Sequence, residues 1–128
     1  MLAVLIAATC LASSQTRRIA FAPGQTSIVL RGRLKPYRHH LYRFHARAGQ
    51  RLTLRLHSPR SDVVCWVEGT TYVRPDTKVL EGIDKGGVTD WSGELPATEA
   101  YEIYVSNPPI SDHRVRRILP YTLEITIK

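Results

Sequence analysis

The sequence predicts an all-β protein, a single antiparallel β-sandwich or jelly-roll-like domain of about eight strands. Three observations lead to this prediction. Apolar and polar residues alternate with a period of two over several short segments, which is the pattern of a strand with one buried face. Turn-forming residues, chiefly glycine and proline, separate these segments. No segment after residue 14 keeps a helical period over three turns.

The size and charge of the chain limit the classes of function. With 128 residues, of which 43% are hydrophobic, the chain has room for one domain with one core, and global disorder is excluded. The formal charge of +7 is compatible with nucleic acid, with an anionic envelope surface or with plain solubility. Because no zinc-ligand spacing, RNP pattern or long basic helix accompanies the charge, we expect no nucleic-acid partner.

The first 14 residues have the composition of an export signal. An apolar core, Leu2–Ala8, is followed by the small residues Ala12–Ser14, as in a secretory signal peptide with a truncated basic region. The segment is too short to span a bilayer. We therefore expect the mature protein to begin near Gln15 and to be periplasmic or secreted. Cys10 leaves lipidation open as a minor alternative.

Residues 15–25 are predicted to be a lead-in and residues 26–128 to be the sandwich domain. The predicted strands, in chain order, are Thr26–Leu34, Tyr42–Arg47, Arg51–Leu56, Val63–Glu68, a short strand near Lys78–Leu80, an edge strand from Trp91, Tyr101–Val105 and Tyr121–Ile127. Six alternating residues are predicted to face the core: Tyr42, Phe44, Leu52, Leu54, Leu123 and Ile125. Cys65 lies in an apolar run and is expected to be a buried thiol.

The second and third predicted strands are expected to form a β-hairpin around Gly49, which can supply the positive φ of a short loop. The simplest antiparallel register gives three cross-strand pairs, Arg47–Arg51, His45–Thr53 and Arg43–Arg55. This register places four arginines on one solvent-exposed face. Like charges directly opposite each other are unfavourable, so the face is expected to be well solvated or to meet an anionic partner.

Catalytic and metal sites are not predicted. His39 and His45 share a face but are separated by about 20 Å of strand, too far to bind one ion. No serine, histidine and aspartate fall into a recognisable nucleophile arrangement. We therefore expect no enzyme, no metal and no cofactor. Trp66 and Trp91 are expected to pack in the core and at an edge, with carbohydrate stacking as the minor alternative.

Several short motifs occur in a fixed order along the chain. After Phe21, Gly24 and Ser27 come Gly32–Tyr37, Tyr42–Gln50, Leu95–Thr98 and Tyr121–Ile125. The ordered set resembles the periplasmic inhibitors of g-type lysozyme and, more distantly, the bacterial pre-peptidase C-terminal domains. The resemblance covers roughly residues 21–128.

The resemblance implies a compact β-sandwich whose loops block the cleft of a g-type lysozyme, which would be its protein partner. By the same resemblance, the segment 107–119 before the last strand is the main contact loop. The implied partner-binding residues are Tyr37, Asn107, His113, Arg114, Arg116 and Arg117. Arginine is chemically suited to this role because glycosidase clefts contain catalytic carboxylates.

A second function stays open at this stage. An envelope module could bind anionic glycans or lipid head groups through the arginine face of the predicted hairpin, Arg43, Arg47, Arg51 and Arg55. The two hypotheses differ in where the contacts lie, on the 107–119 loop or on the hairpin. The sequence also leaves open whether the protein forms a homodimer.

Overall fold

The computed structural model of the chain describes residues 16–36, 38–59, 63–70, 77–83, 86–107 and 118–128. These residues contain eight strands: β1 Thr16–Arg18, β2 Ser27–Leu34, β3 His39–Ala46, β4 Arg51–His57, β5 Val64–Glu68, β6 Asp90–Glu94, β7 Glu99–Ser106 and β8 Leu119–Ile127. Within these ranges, no helix has the length and apolar character needed to cross a membrane.

The strands form two four-stranded sheets that pack face to face. The odd sheet has the order β1-β3-β7-β5, and the even sheet has the order β2-β8-β4-β6. Each connection along the chain therefore passes from one sheet to the other. Every pairing is antiparallel except that of the short β1 with β3. The predicted jelly-roll-like antiparallel sandwich is confirmed.

The core lies between the two sheets and is built from the alternating residues of both. All six residues predicted to face the core are buried, with exposed fractions of at most 4%: Tyr42, Phe44, Leu52, Leu54, Leu123 and Ile125. Cys65 is fully buried as expected. Tyr101 also lies in the core, and its hydroxyl donates to the carbonyl of Ala97 at 2.5 Å, which fixes the turn between β6 and β7.

The predicted hairpin between β3 and β4 is wrong. β3 pairs with β1 and β7, whereas β4 lies in the other sheet between β6 and β8. Residues 47–50 form a tight crossing between the sheets, with Gly49 at a φ of 89° and the amide of Gln50 donating to the carbonyl of Arg47 at 3.1 Å. Both segments bury alternate residues in either arrangement, so their alternation identifies the buried face but not the partner strand.

Two smaller differences concern the edges. β1 was not predicted because its three residues are polar and exposed, and they pair with β3 without burying a face. The short strand predicted near Lys78–Leu80 is not formed; isolated bridges occur there instead, one of them between Val79 and Glu68. β6 lies at an edge of the even sheet as expected.

Candidate functional site

Three connections begin and end on strand ends that lie at the same end of the sandwich, which we call the loop end. They are β2–β3 (residues 35–38), β4–β5 (58–63) and β7–β8 (107–118). The first connection joins β2 to β3, and the third joins β7 to β8. Both ends of the first lie beside the ends of the third, because β2 pairs with β8 at Leu34 and Leu119 and β3 pairs with β7 at His39 and Ser106. The sheet register therefore brings the flanks of Tyr37 next to the flanks of the predicted contact loop.

The predicted contact residues fall mostly outside the described residues. This applies to Tyr37, His113, Arg114, Arg116 and Arg117. Their flanks are described: Asn107 follows β7 and accepts a hydrogen bond at its carbonyl from the Ser106 hydroxyl at 3.2 Å, and Ile118 precedes β8 with 46% of its surface exposed. The binding roles of all six residues stay predictions.

The charge of the loop end is positive by sequence. The chain has no aspartate or glutamate before Asp62. The β2–β3 and β7–β8 connections hold one acidic residue, Asp112, and five basic ones: Lys35, Arg38, Arg114, Arg116 and Arg117. A surface of this composition favours contacts with carboxylates.

Beneath the loop end, a chain of hydrogen bonds joins the two sheets. The hydroxyl of Tyr121 on β8 lies 2.5 Å from Nδ1 of His40 and 2.5 Å from the hydroxyl of Tyr42, both on β3. Burial and the bond to Tyr42 raise the pKa of Tyr121. Burial, followed by the charge of His39, lowers the pKa of His40. The neutral imidazole can therefore accept the hydroxyl hydrogen of Tyr121 and fix the relative position of the sheets.

A glycine makes room for the central tyrosine of this chain. Gly32 on β2 lies directly opposite Tyr121, and a Cβ at this position would fall 2.4 Å from the tyrosine ring. Sequence reasoning placed Tyr121 in a strand but missed its partner His40. The alternation of β3 could have identified His40, because side chains two residues apart on a strand point to the same face and His40 therefore shares the inward face with Tyr42 and Phe44.

The arginine face proposed from the hairpin is not formed, because its members are divided between the two sheets. Arg43 lies on the odd sheet, where its Nη2 is 2.5 Å from Oε1 of Glu102 and lowers the pKa of that carboxyl. Arg51 and Arg55 lie on the even sheet, and Arg47 lies in the connection at the opposite end from the loops.

Each strand arginine of this set also faces an acidic neighbour. Arg51 pairs with Glu94 in the register, and Arg55 lies between Asp90 and Glu124. The Nε of Arg51 donates to Ser92 at 3.0 Å. The prediction of a single anion-binding face is therefore wrong: Arg43 lies on one sheet, Arg51 and Arg55 share the outer face of the other, and each of these three has an acidic neighbour.

Aromatic residues on the outer face of the odd sheet stack on one another. The rings of Trp66 and Tyr104 have centroids 5.1 Å apart and an interplanar angle of 1°. Parallel rings this close overlap in an offset stack, so each uses one face against the other. The Tyr104 hydroxyl donates to Oε2 of Glu102 at 2.9 Å. Trp66 is therefore half-buried on the outer face of β5 and not in the core, where it was expected. Trp91 lies on the edge strand β6 as expected, and its indole N–H donates to the Glu81 carbonyl at 3.2 Å.

Metal and nucleophile chemistry find no support in the described part of the chain. There, no three histidine, cysteine or acidic side chains come together as metal ligands. The Cys65 thiol donates to the Val88 carbonyl at 3.3 Å. Its burial, and next the charge of Asp90, raise the pKa of the thiol to about 12. A thiol with this pKa is not a nucleophile at neutral pH.

No family model matches the chain, and no curated protein matches it. Solved structures do. A periplasmic inhibitor of g-type lysozyme from Aeromonas hydrophila (PliG) has a TM-score of 0.72 and 26% identity, over 88% of this chain and 96% of that one. The PliG of Salmonella Typhimurium gives 0.68 and 23%, over 91% and 100%. A pre-peptidase C-terminal domain of a Bacillus anthracis collagenase gives 0.60 and 12%, over 91% and 98%.

These comparisons confirm the resemblance predicted from the ordered motifs, including its more distant branch. The fold of this chain is that of the PliG inhibitors over nearly its whole described length. Both similar PliG proteins are periplasmic inhibitors of g-type lysozyme, and the prediction that this chain is not an enzyme agrees with that similarity.

Proposed function

We propose that this protein is an exported inhibitor that binds a g-type lysozyme through its loop end. The observation that carries the proposal is the match to the Aeromonas hydrophila inhibitor, which extends over almost all of both chains. The ordered motifs of the sequence support the same function independently of the coordinates.

The loop end has the architecture that such binding requires. Both of its principal connections start and end on paired strand residues, so the sandwich holds their flanks in place. A loop fixed at both ends enters a groove with a limited loss of conformational entropy. We assign the contacts to Arg114, Arg116 and Arg117, which would meet the carboxylates of the lysozyme cleft.

Export is part of the proposal. The apolar segment 1–14 and the periplasmic location of the similar inhibitors support it. Sequencing the N-terminus of the protein from the periplasmic fraction tests it, and we expect a start near Gln15. A cytoplasmic protein that keeps Met1 would contradict export, and a lipid-sized mass on Cys10 would favour an anchored form.

The inhibition itself is tested with purified g-type lysozyme and bacterial cell walls. The wild-type protein should stop lysis, and replacing a central contact arginine (Arg114→Ala, Arg116→Ala or Arg117→Ala) should weaken binding by about 2–4 kcal/mol, as for hot-spot residues. The matched control is Arg47→Ala, which removes the same charge from the opposite end of the sandwich and should change binding by less than about 0.5 kcal/mol.

Two results would overturn the proposal. One is a wild-type protein that binds no g-type lysozyme. The other is an equal loss of affinity in the Arg47 control and in the loop variants, since this would mean diffuse attraction between charged surfaces rather than occupation of the cleft.

A further inference from the structure

A hollow on the outer face of the even sheet borders the loop end and includes none of the contact arginines assigned above. Its volume is about 390 Å³. We call it the cationic basin and define it by its lining side chains: Arg31, Arg33, His57, Pro59, Pro120 and Thr122. Gly32 and Tyr121 complete the lining.

The register of the sheet explains the shape of the basin. Arg31 on β2 and His57 on β4 both pair with Thr122 on the intervening β8. Two strand spacings separate the outer residues, which is about 10 Å. The short side chains of Thr122 and Pro120 on the central strand form the floor of the basin. The longer side chains of Arg31 and His57, on the strands to either side, form its walls.

The charge of the basin is uncompensated. Among its described lining residues there is no carboxylate. Arg31 and Arg33 are two residues apart on one exposed face of β2, and neither guanidinium has a hydrogen-bond or ion-pair partner in the described ranges. Arg43 and Arg51, by contrast, are bonded to Glu102 and Ser92.

The nearest acidic residue on β8 does not act as the counter-charge of Arg31 and Arg33. Glu124 is one outward-facing position further along the strand, opposite Arg55, and it lines a separate hollow of about 270 Å³ with Arg51 and Lys128. Two adjacent guanidinium groups without a counter-charge repel each other. An anion between them would relieve this repulsion and would accept charge-assisted hydrogen bonds.

We propose that the cationic basin binds a phosphate group, either as a free small phosphate or as part of an envelope head group. Two guanidinium forks and an imidazole offer more donors than the two oxygens of one carboxylate can use, whereas a phosphate presents three or four oxygens. The proposal does not rest on lysozyme binding, because it uses neither the contact loop nor its arginines.

The test is a titration of the ¹⁵N-labelled mature protein with inorganic phosphate, followed by amide chemical shifts. Sodium chloride at equal ionic strength is the reference. We expect saturable shifts confined to the amides around Arg31–Arg33, His57 and Thr122. The double variant R31Q/R33Q should bind phosphate about tenfold more weakly or worse, because each arginine supplies charged hydrogen bonds.

The matched control is R47Q/R55Q, which removes the same two charges outside the basin and should change the phosphate affinity by less than about twofold. Circular dichroism of both variants checks that they are folded. Phosphatidylglycerol vesicles form the second arm: if they compete with inorganic phosphate for the basin, the ligand is a head group, and if they do not, it is a small phosphate.

Three outcomes would overturn the proposal. The first is a set of shifts that the chloride reference reproduces. The second is an equal loss of affinity in the control variant, which would indicate diffuse electrostatics. The third is acetate saturating the same amides as tightly as phosphate, because the basin would then be a general carboxylate site.

Discussion

The hydrogen-bond chain beneath the loop end can be tested by removing its central hydroxyl. In a Tyr121→Phe variant, the ring stays over Gly32 but two hydrogen bonds of 2.5 Å are lost. The Tyr42 hydroxyl, in a residue that is only 4% exposed, then keeps no partner among the described residues. An unsatisfied buried hydroxyl destabilises a protein by about 1–3 kcal/mol. The partly exposed His40 can turn to water, so we expect a total loss of about 2 kcal/mol.

The matched variant is Tyr42→Phe. It removes one bond but leaves Tyr121 paired with His40, so its expected loss is about 1 kcal/mol. In the double variant no buried hydroxyl is left, and the total should be close to that of Tyr121→Phe alone, which gives a coupling of about 1 kcal/mol.

The assay is urea unfolding near pH 7.5, with the free energy taken from the midpoint at an unchanged slope. The reasoning would be refuted in either of two ways. One is strict additivity of the two single variants, since hydroxyls that share a bond must be coupled. The other is a Tyr121→Phe variant within about 0.5 kcal/mol of wild type, the range of ordinary surface changes.

Gly32→Ala should destabilise the protein by about 1–3 kcal/mol because its Cβ collides with the facing tyrosine ring, whereas Gly86→Ala, which meets nothing within 4 Å, should be nearly neutral in the same urea assay. Burial and the neighbouring His39 lower the pKa of His40 in the folded protein. As the pH falls below 6.5, the unfolded chain therefore takes up a proton at His40 before the folded protein does, and the free energy of unfolding should decrease until the pH has passed the folded-state pKa. A His40→Gln variant whose free energy of unfolding depends on pH as steeply as that of the wild type would contradict this. The Cys65 thiol is buried, and its pKa is raised to about 12. In a variant that lacks Cys10, Cys65 should therefore react with a thiol reagent only as fast as the protein unfolds. Immediate labelling of the folded protein would contradict the burial of Cys65.

The fold class was predictable because its signal is local. Alternation of apolar and polar residues marks a buried face wherever the strand lies, and it identified both Phe44 and Leu54 correctly as core residues. The partner of each strand was not predictable by the same means. A hairpin and a crossing between sheets both satisfy the parity of β3 and β4, so the turn at Gly49 was assigned to the wrong one.

The candidate site was likewise predictable only in part. The resemblance predicted contact residues in the β2–β3 and β7–β8 connections, and their binding roles stay predictions. The register shows that the flanks of these two connections are neighbours. The cationic basin could not be predicted from the sequence. Its existence depends on Thr122 and His57, which are distant in sequence and reach that face only through the order of strands in the even sheet.

The alternation of strands between sheets has a consequence for how the protein is made. Among the described strands, β2 pairs with β8 alone, and Ser27 meets Thr126 across 99 positions of the chain. A topology with such distant pairings has a high contact order and folds slowly. The even sheet cannot be completed until β8 has been synthesised, so a nascent chain that still lacks β8 cannot form the finished sandwich. Such a chain should stay unfolded enough to pass through the secretion channel that the proposed export requires.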